Sequence, residues 1–247
     1  MPLMPTLTRA HALFLDFDGT LTDIAPQPHA VLVPSGLAPT LSALHRLLGG
    51  ALAIVTGRRE ADVDGFLDPL VLPMASEHGA QYRFSDGSRP AVDPPDLAPV
   101  LAAAQHLAER HPELLVEVKR ASVALHFRQA PHLGAQCHQT LELAMAGLQG
   151  LELLSGKCVY EVKPAGIHKG QAISAFMRQA PFAGRTPVFV GDDVTDEAGF
   201  ASVMALGGLA IKVGEGPTNA PYRCMTPAAL RGWLSASRTA LEHARAA

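Results

Sequence analysis

Residues 12–23, "ALFLDFDGTLTD", set an apolar run directly against two carboxylates and a glycine. Its opening, "ALFLDF" (12–17), reads as a short continuous apolar run, not an alternating one. That pattern marks a strand buried on both faces, as in a parallel sheet covered by helices on each side. Asp16 and Asp18 then stand at the carboxyl end of that strand. Two anions one residue apart repel each other, so the pair calls for a cation or a reaction that offsets the repulsion.

Working outward, four more runs read the same way: "ALAIVT" (51–56), "VLPMAS" (71–76), "TPVFVG" (186–191) and "LAIKVG" (209–214). Amphipathic helical stretches lie between them, such as "SGLAPTLSALHRLLG" (35–49) and "KGQAISAFMRQ" (169–179). Strands alternating with helices predict an α/β fold with a doubly wound parallel sheet of the Rossmann-like type. The middle of the chain differs. After the Pro- and Asp-rich "SDGSRPAVDPPD" (85–96) come a helix near 97–110, the strands "LLVEVKR" and "SVALHFR", a helix near 132–147, and the strands "LELLSGK" and "CVYEVKP". This α+β order predicts an inserted domain at 84–165 within a core made of 1–83 and 166–247. Its closely spaced strands, with Val116, Val118, Val123, Leu125 and Phe127 on one side, suggest an antiparallel sheet with one exposed face.

The bulk numbers exclude several classes. In 247 residues, 48% apolar, the chain has enough material for a sizeable core and two compact units. The net charge of −3, from 20 basic and 23 acidic residues interspersed along the chain, speaks against nucleic acid or an anionic membrane as partner. The 11 histidines are scattered without zinc-like spacing. Cys137, Cys158 and Cys224 form no CxxC pair, and an odd count suits a reducing compartment. The start, "MPLMPTLTRAHALFLDF", does not resemble a signal peptide, and no apolar run is long enough to span a bilayer. The expectation is a cytoplasmic protein, monomeric by default.

In open α/β sheets, ligands collect beyond the carboxyl ends of the strands. Asp16 and Asp18 end the first strand; Thr56, Gly57 and Arg58 end the second; Asp192, Asp193 and Asp196, in "GDDVTDE", follow another. "KPAGIHKGQ" puts Lys163 and Lys169 just before or at a helix start. Clustered carboxylates make an oxygen-ligand site for a hard cation such as Mg²⁺. A lysine, a hydroxyl and helix-start amides suit the oxygens of a phosphate. Together they form the layout expected for phosphoryl transfer.

"DFDGT", a strand-terminal "TGR", a downstream lysine and "GDDVTDE" resemble the four ordered motifs of the haloacid dehalogenase superfamily, with the insert where such enzymes carry a cap. More narrowly, "EHGA" (77–80), "VEVKRASVALHFR" (116–128), "YEVKPAGIHKG" (160–170) and "GDDVTDE" (191–197) resemble the trehalose-6-phosphate phosphatases. The resemblance implies a Mg²⁺-dependent phosphoric monoester hydrolase. It implies Asp16 as nucleophile and Asp18 as general acid and base. It implies a metal held by the Asp16 carboxylate, the Asp18 backbone carbonyl and Asp192, with Asp193 and Asp196 orienting the metal shell or Lys169. Thr56 and Lys169 would bind the transferring phosphoryl group. Glu117, Lys119 and Glu161, on the strands of the insert, resemble the family's sugar-reading residues, and Arg58, Glu77, His78 and Lys163 would be further substrate contacts.

Other readings remain open on the residues alone. The sugar could be that of sucrose phosphate, glucosylglycerol phosphate or mannosylglycerate phosphate. A phospho-receiver module also gathers acids, a hydroxyl and a lysine at one sheet edge, and a silent domain that binds a synthase partner is a third possibility. Asp beside Gly can be a plain turn, acids at a helix start can serve the helix dipole, and alternating charges such as His126 and Arg128 can be a solvated face.

Overall fold

The computed structural model describes residues 4–90 and 95–246. Residues 1–3 of the N-terminal stretch and 91–94 of the Pro- and Asp-rich stretch lie outside the described residues. In chain order the elements are β1 (His11–Leu15), α1 (Leu37–Leu47), β2 (Leu52–Val55), α2 (Glu60–Leu67), β3 (Met74–Ser76) and β4 (Gln81–Arg83). Next come α3 (Ala98–Arg110), β5 (Leu115–Val118), β6 (Val123–His126), α4 (Gly134–Met145), β7 (Leu151–Gly156) and β8 (Val159–Pro164). The chain ends with α5 (Lys169–Met177), β9 (Thr186–Gly191), α6 (Glu197–Ala205), β10 (Leu209–Val213), β11 (Tyr222–Cys224) and α7 (Pro227–Ala246). Two compact units result: Met1–Pro90 with His168–Ala247, and Ala91–Ile167.

The first unit is a doubly wound sheet in the order β11-β10-β9-β1-β2-β3-β4, parallel at every pair except β3–β4. The apolar run that opens the sequence becomes its centre. Successive side chains of β1 leave on opposite faces. Leu13 and Leu15 join Leu41, Leu44, Val63, Leu230 and Leu234, from α1, α2 and α7. Ala12 and Phe14 join Ile173, Phe176 and Phe200, from α5 and α6. The Phe14 ring lies 5.3 Å from Phe182 and 5.9 Å from Phe176. Fully burying each such side chain contributes about 1.5–3 kcal/mol, which is why β1 has no polar residue after His11 until Asp16.

Three boundaries depart from the sequence reading. The strand expected over 71–76 begins only at Met74: Pro73 has no N–H for the ladder, and Val71 is 62% exposed. The three-residue strands β4 and β11 lie at the two edges of the sheet and were not foreseen. Phe84, assigned by sequence to the insert, is buried in the first unit, stacked on Tyr82 at 5.3 Å and edge-on to Phe176 at 5.1 Å.

From β1 the chain winds outward through β2 and β3; from its neighbour β9 it winds the opposite way through β10 and β11. The switch point therefore lies between β1 and β9, whose register pairs Leu15 with Val190. The Asp16 N–H extends that pairing to the Val190 carbonyl at 2.9 Å. The acids that follow these two strands are thereby brought side by side at the edge where such sheets bind ligands.

The second unit is an antiparallel sheet, β5-β6-β8-β7, with α3 and α4 on one face. Val123, Leu125 and Val162 pack there against Val100, Leu107 and Leu141. On the other face Glu117, Ala124 and Glu161 share one cross-strand row. The expected exposed polar face differs in detail: Glu161 and Lys163 are only 6% and 3% exposed, while Val118, expected inward, is 48% exposed.

Candidate active site

Asp16 is almost fully buried, and its neighbours come from the turn after β1, the start of α5 and the loop after β9. Lys169 opens α5 and is itself 2% exposed; its ammonium lies 2.7 Å from Asp16 Oδ1 and 2.7 Å from Asp196 Oδ1. Thr20 Oγ1 sits 3.3 Å from Asp16 Oδ2 and 3.2 Å from Asp192 Oδ1. One hydroxyl has a single proton, so two carboxylates contend for it. Oxygens of Asp16, Asp192 and Asp196 all fall within 4.8 Å of one another.

The loop after β9 explains how the acids divide their work. Asp196 Oδ2 accepts the backbone N–H groups of Asp192 and Asp193, both at 2.9 Å, and Oδ1 takes Lys169. Its carboxylate is thus fully engaged inside the protein. Asp193 caps the following turn by accepting the Val194 N–H at 2.8 Å. Gly191 makes room for this arrangement, since a Cβ there would come within 2.3 Å of the Asp196 carboxyl carbon. Asp192 is left with its side chain against the "DGT" turn. A Cβ on Gly19 would meet Asp192 Oδ2 at 2.1 Å, and Gly19 has φ +71°, a conformation that suits glycine.

The electrostatics follow from burial. Burial pushes the Asp16 carboxyl well above the ordinary carboxylate range; Lys169 pulls it back, while Asp196 and Asp192 push it up again. Burial, with the Asp196 carboxylate beside it, lifts Asp192 to about 6. Burial alone would lower Lys169, but Asp16 and Asp196 overcome that and hold it above the usual lysine value. The Lys169 ammonium pairs with two of the three carboxylates, all candidate ligand atoms are oxygens, and the Asp16 and Asp192 carboxylates are not tied up as Asp196 is. A hard divalent cation fits this set.

At the second strand, Thr56 is buried, and its Oγ1 accepts the Arg58 N–H at 3.2 Å. Arg58 forks onto Asp18, with Nε 2.5 Å from Oδ2 and Nη2 2.7 Å from Oδ1, and lies over the Phe66 ring at 5.1 Å. Glu77 and His78 follow β3 with φ +49° and +60°, costly for non-glycine residues. Their N–H groups are fixed by the Arg58 carbonyl at 3.0 Å and the Thr56 carbonyl at 2.8 Å. The His78 ring rests against Gly57, where a Cβ would be 2.5 Å from Nε2.

In the second unit Glu161 accepts from Lys119 at 3.0 Å and from Ser122 at 2.5 Å, and Glu117 meets His126 at 2.8 Å. Burial would raise Glu117, but the His126 hydrogen bond and Lys119 outweigh it and hold the carboxyl below its usual value. His126, read from sequence as part of a solvated face, is therefore the partner of Glu117. Lys163 lies on β8, within the strand read from "CVYEVKP" and before the start of α5, and its ammonium is held by Glu152 and the Ile167 carbonyl. Register pairs Lys163 with Glu152 across β8 and β7, so the lysine is engaged within its own unit.

Sequence reasoning missed Thr20, Ser122 and Lys212, whose ammonium donates to the Asp192 carbonyl. The available signals were slight: a threonine four residues after Asp16, and a single charge inside the apolar run "LAIKV". No helix among the described residues is long and apolar enough to cross a membrane.

The chain is similar to known proteins over nearly its whole length. The family model for trehalose-phosphatase matches residues 14–227. The chain is 41% identical to the trehalose-6-phosphate phosphatase of Escherichia coli (strain K12) over 244 residues, covering 98% of this chain and 91% of that protein. The crystal structure of a trehalose-6-phosphate phosphatase related protein superposes with a TM-score of 0.73 at 27% identity, covering 94% of this chain and 99% of the other. A phosphatase of the haloalkanoate (HAD) superfamily from Bacteroides thetaiotaomicron shares the fold, with a TM-score of 0.61 at 18% identity over 98% of this chain and 97% of its own. A family match that runs from the strand of Asp16 to beyond β11, together with a relative this similar over nearly the whole chain, makes this protein a phosphatase of the trehalose-phosphatase family.

Proposed function

We propose that the protein hydrolyses trehalose 6-phosphate to trehalose and phosphate, with Asp16 as nucleophile and Mg²⁺ as the bound cation. The observation that carries the reading is the buried convergence of Asp16, Asp192 and Asp196 around one lysine. Asp16 attacks phosphorus, the bond to the sugar oxygen breaks, and Asp18 gives that oxygen its proton. A water then attacks the aspartyl-phosphate, Asp18 takes the water's proton, and phosphate leaves with Asp16 restored. Lys169 and the Thr56 hydroxyl bind the phosphoryl oxygens. In the free chain Arg58 pairs with Asp18 as a carboxylate; that pair opens as substrate binds, and Asp18 takes a proton from solvent before giving it to the sugar oxygen. Asp16 and Asp192, with the Asp18 carbonyl, would hold the cation, which would neutralise charge on the transferring group. Asp196 and Asp193 shape the loop that presents Asp192.

The second unit is proposed to choose the sugar. Phosphate and cation are common to all phosphomonoesters, so selection rests on hydroxyl contacts. Glu117, Lys119 and Glu161 are suited to this, being preorganised by His126, Ser122 and one another. Glu77 and His78 are proposed to add contacts from the first unit. Lys163 supports the unit through Glu152.

Phosphate release from a panel of sugar phosphates, with Mg²⁺ or EDTA, tests the reading. Trehalose 6-phosphate should be preferred, and EDTA should abolish release. A wide preference for another sugar would discard the cap assignment and keep the chemistry; no release from any substrate would discard both. The cation should also act on stability, with a definite sign in pH. The Asp192 carboxyl is lifted to about 6 from 3.8, so the folded, cation-free chain retains a proton that the unfolded chain has lost. This carboxyl therefore destabilises the cation-free fold increasingly as pH rises through that window, and fully above it. A cation at a hundredfold excess over its Kd should raise the melting temperature by about 5–10 °C at pH 7.5. At pH 5 the proton competes, and affinity should be about tenfold weaker. A shift equal at the two pH values would contradict Asp192 as ligand.

Gly19→Ala tests the "DGT" turn. The added methyl overlaps the Asp192 carboxylate and strains a left-handed backbone. Turnover should fall by about 10²-fold or more, the cost of a misplacement of an ångström in an active site. Wild-type turnover in a folded variant would show that Asp192 need not lie against Gly19.

A further inference from the structure

The geometry points to Lys212 as a positioning residue for the Asp192 carboxylate, an inference that rests on the cation reading above. Lys212 is the one charged residue of β10, between buried Ile211 and Val213, and it is only 5% exposed. Register sets it beside Gly191, one residue before Asp192. Burying an ammonium is costly unless it is paired, and among the described residues no carboxylate lies within 4.0 Å of this one. Its hydrogen bond goes to the backbone carbonyl of Asp192.

That single bond completes a clamp. The peptide joining Asp192 to Asp193 is held at its oxygen by Lys212 and at its N–H by Asp196 Oδ2, 2.9 Å away. The preceding peptide is held through the Asp192 N–H by the same Asp196 oxygen, also at 2.9 Å. With both flanking peptides fixed, the Asp192 side chain has its direction set toward Thr20 and Gly19. Asp196 supplies two of the three anchors from its own loop; Lys212 supplies the third from a different strand, tying the loop to the sheet. Groups outside the ligand shell that orient a ligand commonly govern metal affinity by about 10–100-fold. A charged donor also makes a stronger anchor to a carbonyl than a neutral one. Lys212 therefore acts through Asp192 without touching substrate.

The test is Mn²⁺ binding to the full chain, by paramagnetic resonance of free Mn²⁺ and by the cation-induced shift in melting temperature. The wild type is compared with Lys212→Met, Lys212→Gln and Lys212→Arg. The methionine variant should bind Mn²⁺ about 10–100-fold more weakly. Arginine, which keeps a charged donor, should recover part of the loss, and glutamine less. Wild-type affinity in a folded methionine or glutamine variant overturns the proposal. If both neutral variants fail to fold by circular dichroism while arginine folds and binds as wild type, Lys212 serves stability alone and the proposal is likewise overturned. A wild type that binds no Mn²⁺ overturns the cation reading itself, a failure distinct from the others.

Discussion

Asp16→Asn is expected to end phosphate release and, in the same protein, to raise the melting temperature of the cation-free form. The two effects have one origin. Burial, with Asp192 and Asp196 alongside, holds the Asp16 carboxyl well above its ordinary pKa, so ionising it costs the folded chain stability. Asparagine keeps the shape and an acceptor oxygen but carries no charge, which relieves the cost of burial and the repulsion together. Lys169 loses one partner and retains Asp196 at 2.7 Å, so its ammonium is not stranded. Each kcal/mol relieved should appear as about 2–4 °C in a chain of this size. Turnover, by contrast, should fall by about 10⁴–10⁶-fold, the range seen when an enzyme loses a member of its nucleophilic machinery. Scanning calorimetry without cation, paired with a phosphate assay, decides both. Retained turnover would remove Asp16 from the nucleophile's role, and a lower melting temperature would mean that its bond to Lys169 outweighs burial and repulsion.

Lys169→Met should have the opposite sign in stability and the same sign in activity. It removes the only ammonium in contact with Asp16 and Asp196 among the described residues, and it leaves three carboxylates in one buried cluster. Removing one partner of a buried pair costs about 3–5 kcal/mol, or roughly 6–20 °C here. The lysine's folded pKa lies above its unfolded value, so its contribution is complete at every pH below the ordinary lysine range and fades only above it. The deficit should nevertheless shrink as pH falls from 8 to 5, because the stranded carboxyls take up protons. A divalent cation should recover more stability in this variant than in the wild type, since it replaces part of the missing charge. A variant that melts like the wild type would show that Lys169 is not the countercharge of the cluster.

Much of the core sheet was legible because its strands are short, continuous apolar runs. β1, β2, β9 and β10 lie within a residue or two of the runs that announced them. The edge strands β4 and β11 were not, since "QYR" and "YRC" are three residues long and carry an arginine each. Arg83 is buried there only because Glu60, Asp64 and the Leu72 carbonyl meet it, and those partners stand 11 to 23 residues away in the chain.

The candidate site divides along the same line. The sequence by itself determined which residue types end which strands: Asp16 after β1, Thr56 after β2, Lys169 at the start of α5 and the acids after β9. Spacing and turn chemistry are local, and local information survives in a linear string. Only the tertiary structure decided which acid meets which cation. Spacing put Lys163 on a strand and Lys169 at a helix start, but did not show that Glu152 would hold the first and Asp16 and Asp196 the second. Thr20 and Lys212 become site residues only when β9 lies between β1 and β10 in this register. Strand order and register are set by the burial of whole faces, a long-range sum over both sides of the sheet, and the pairing of buried charges follows from it.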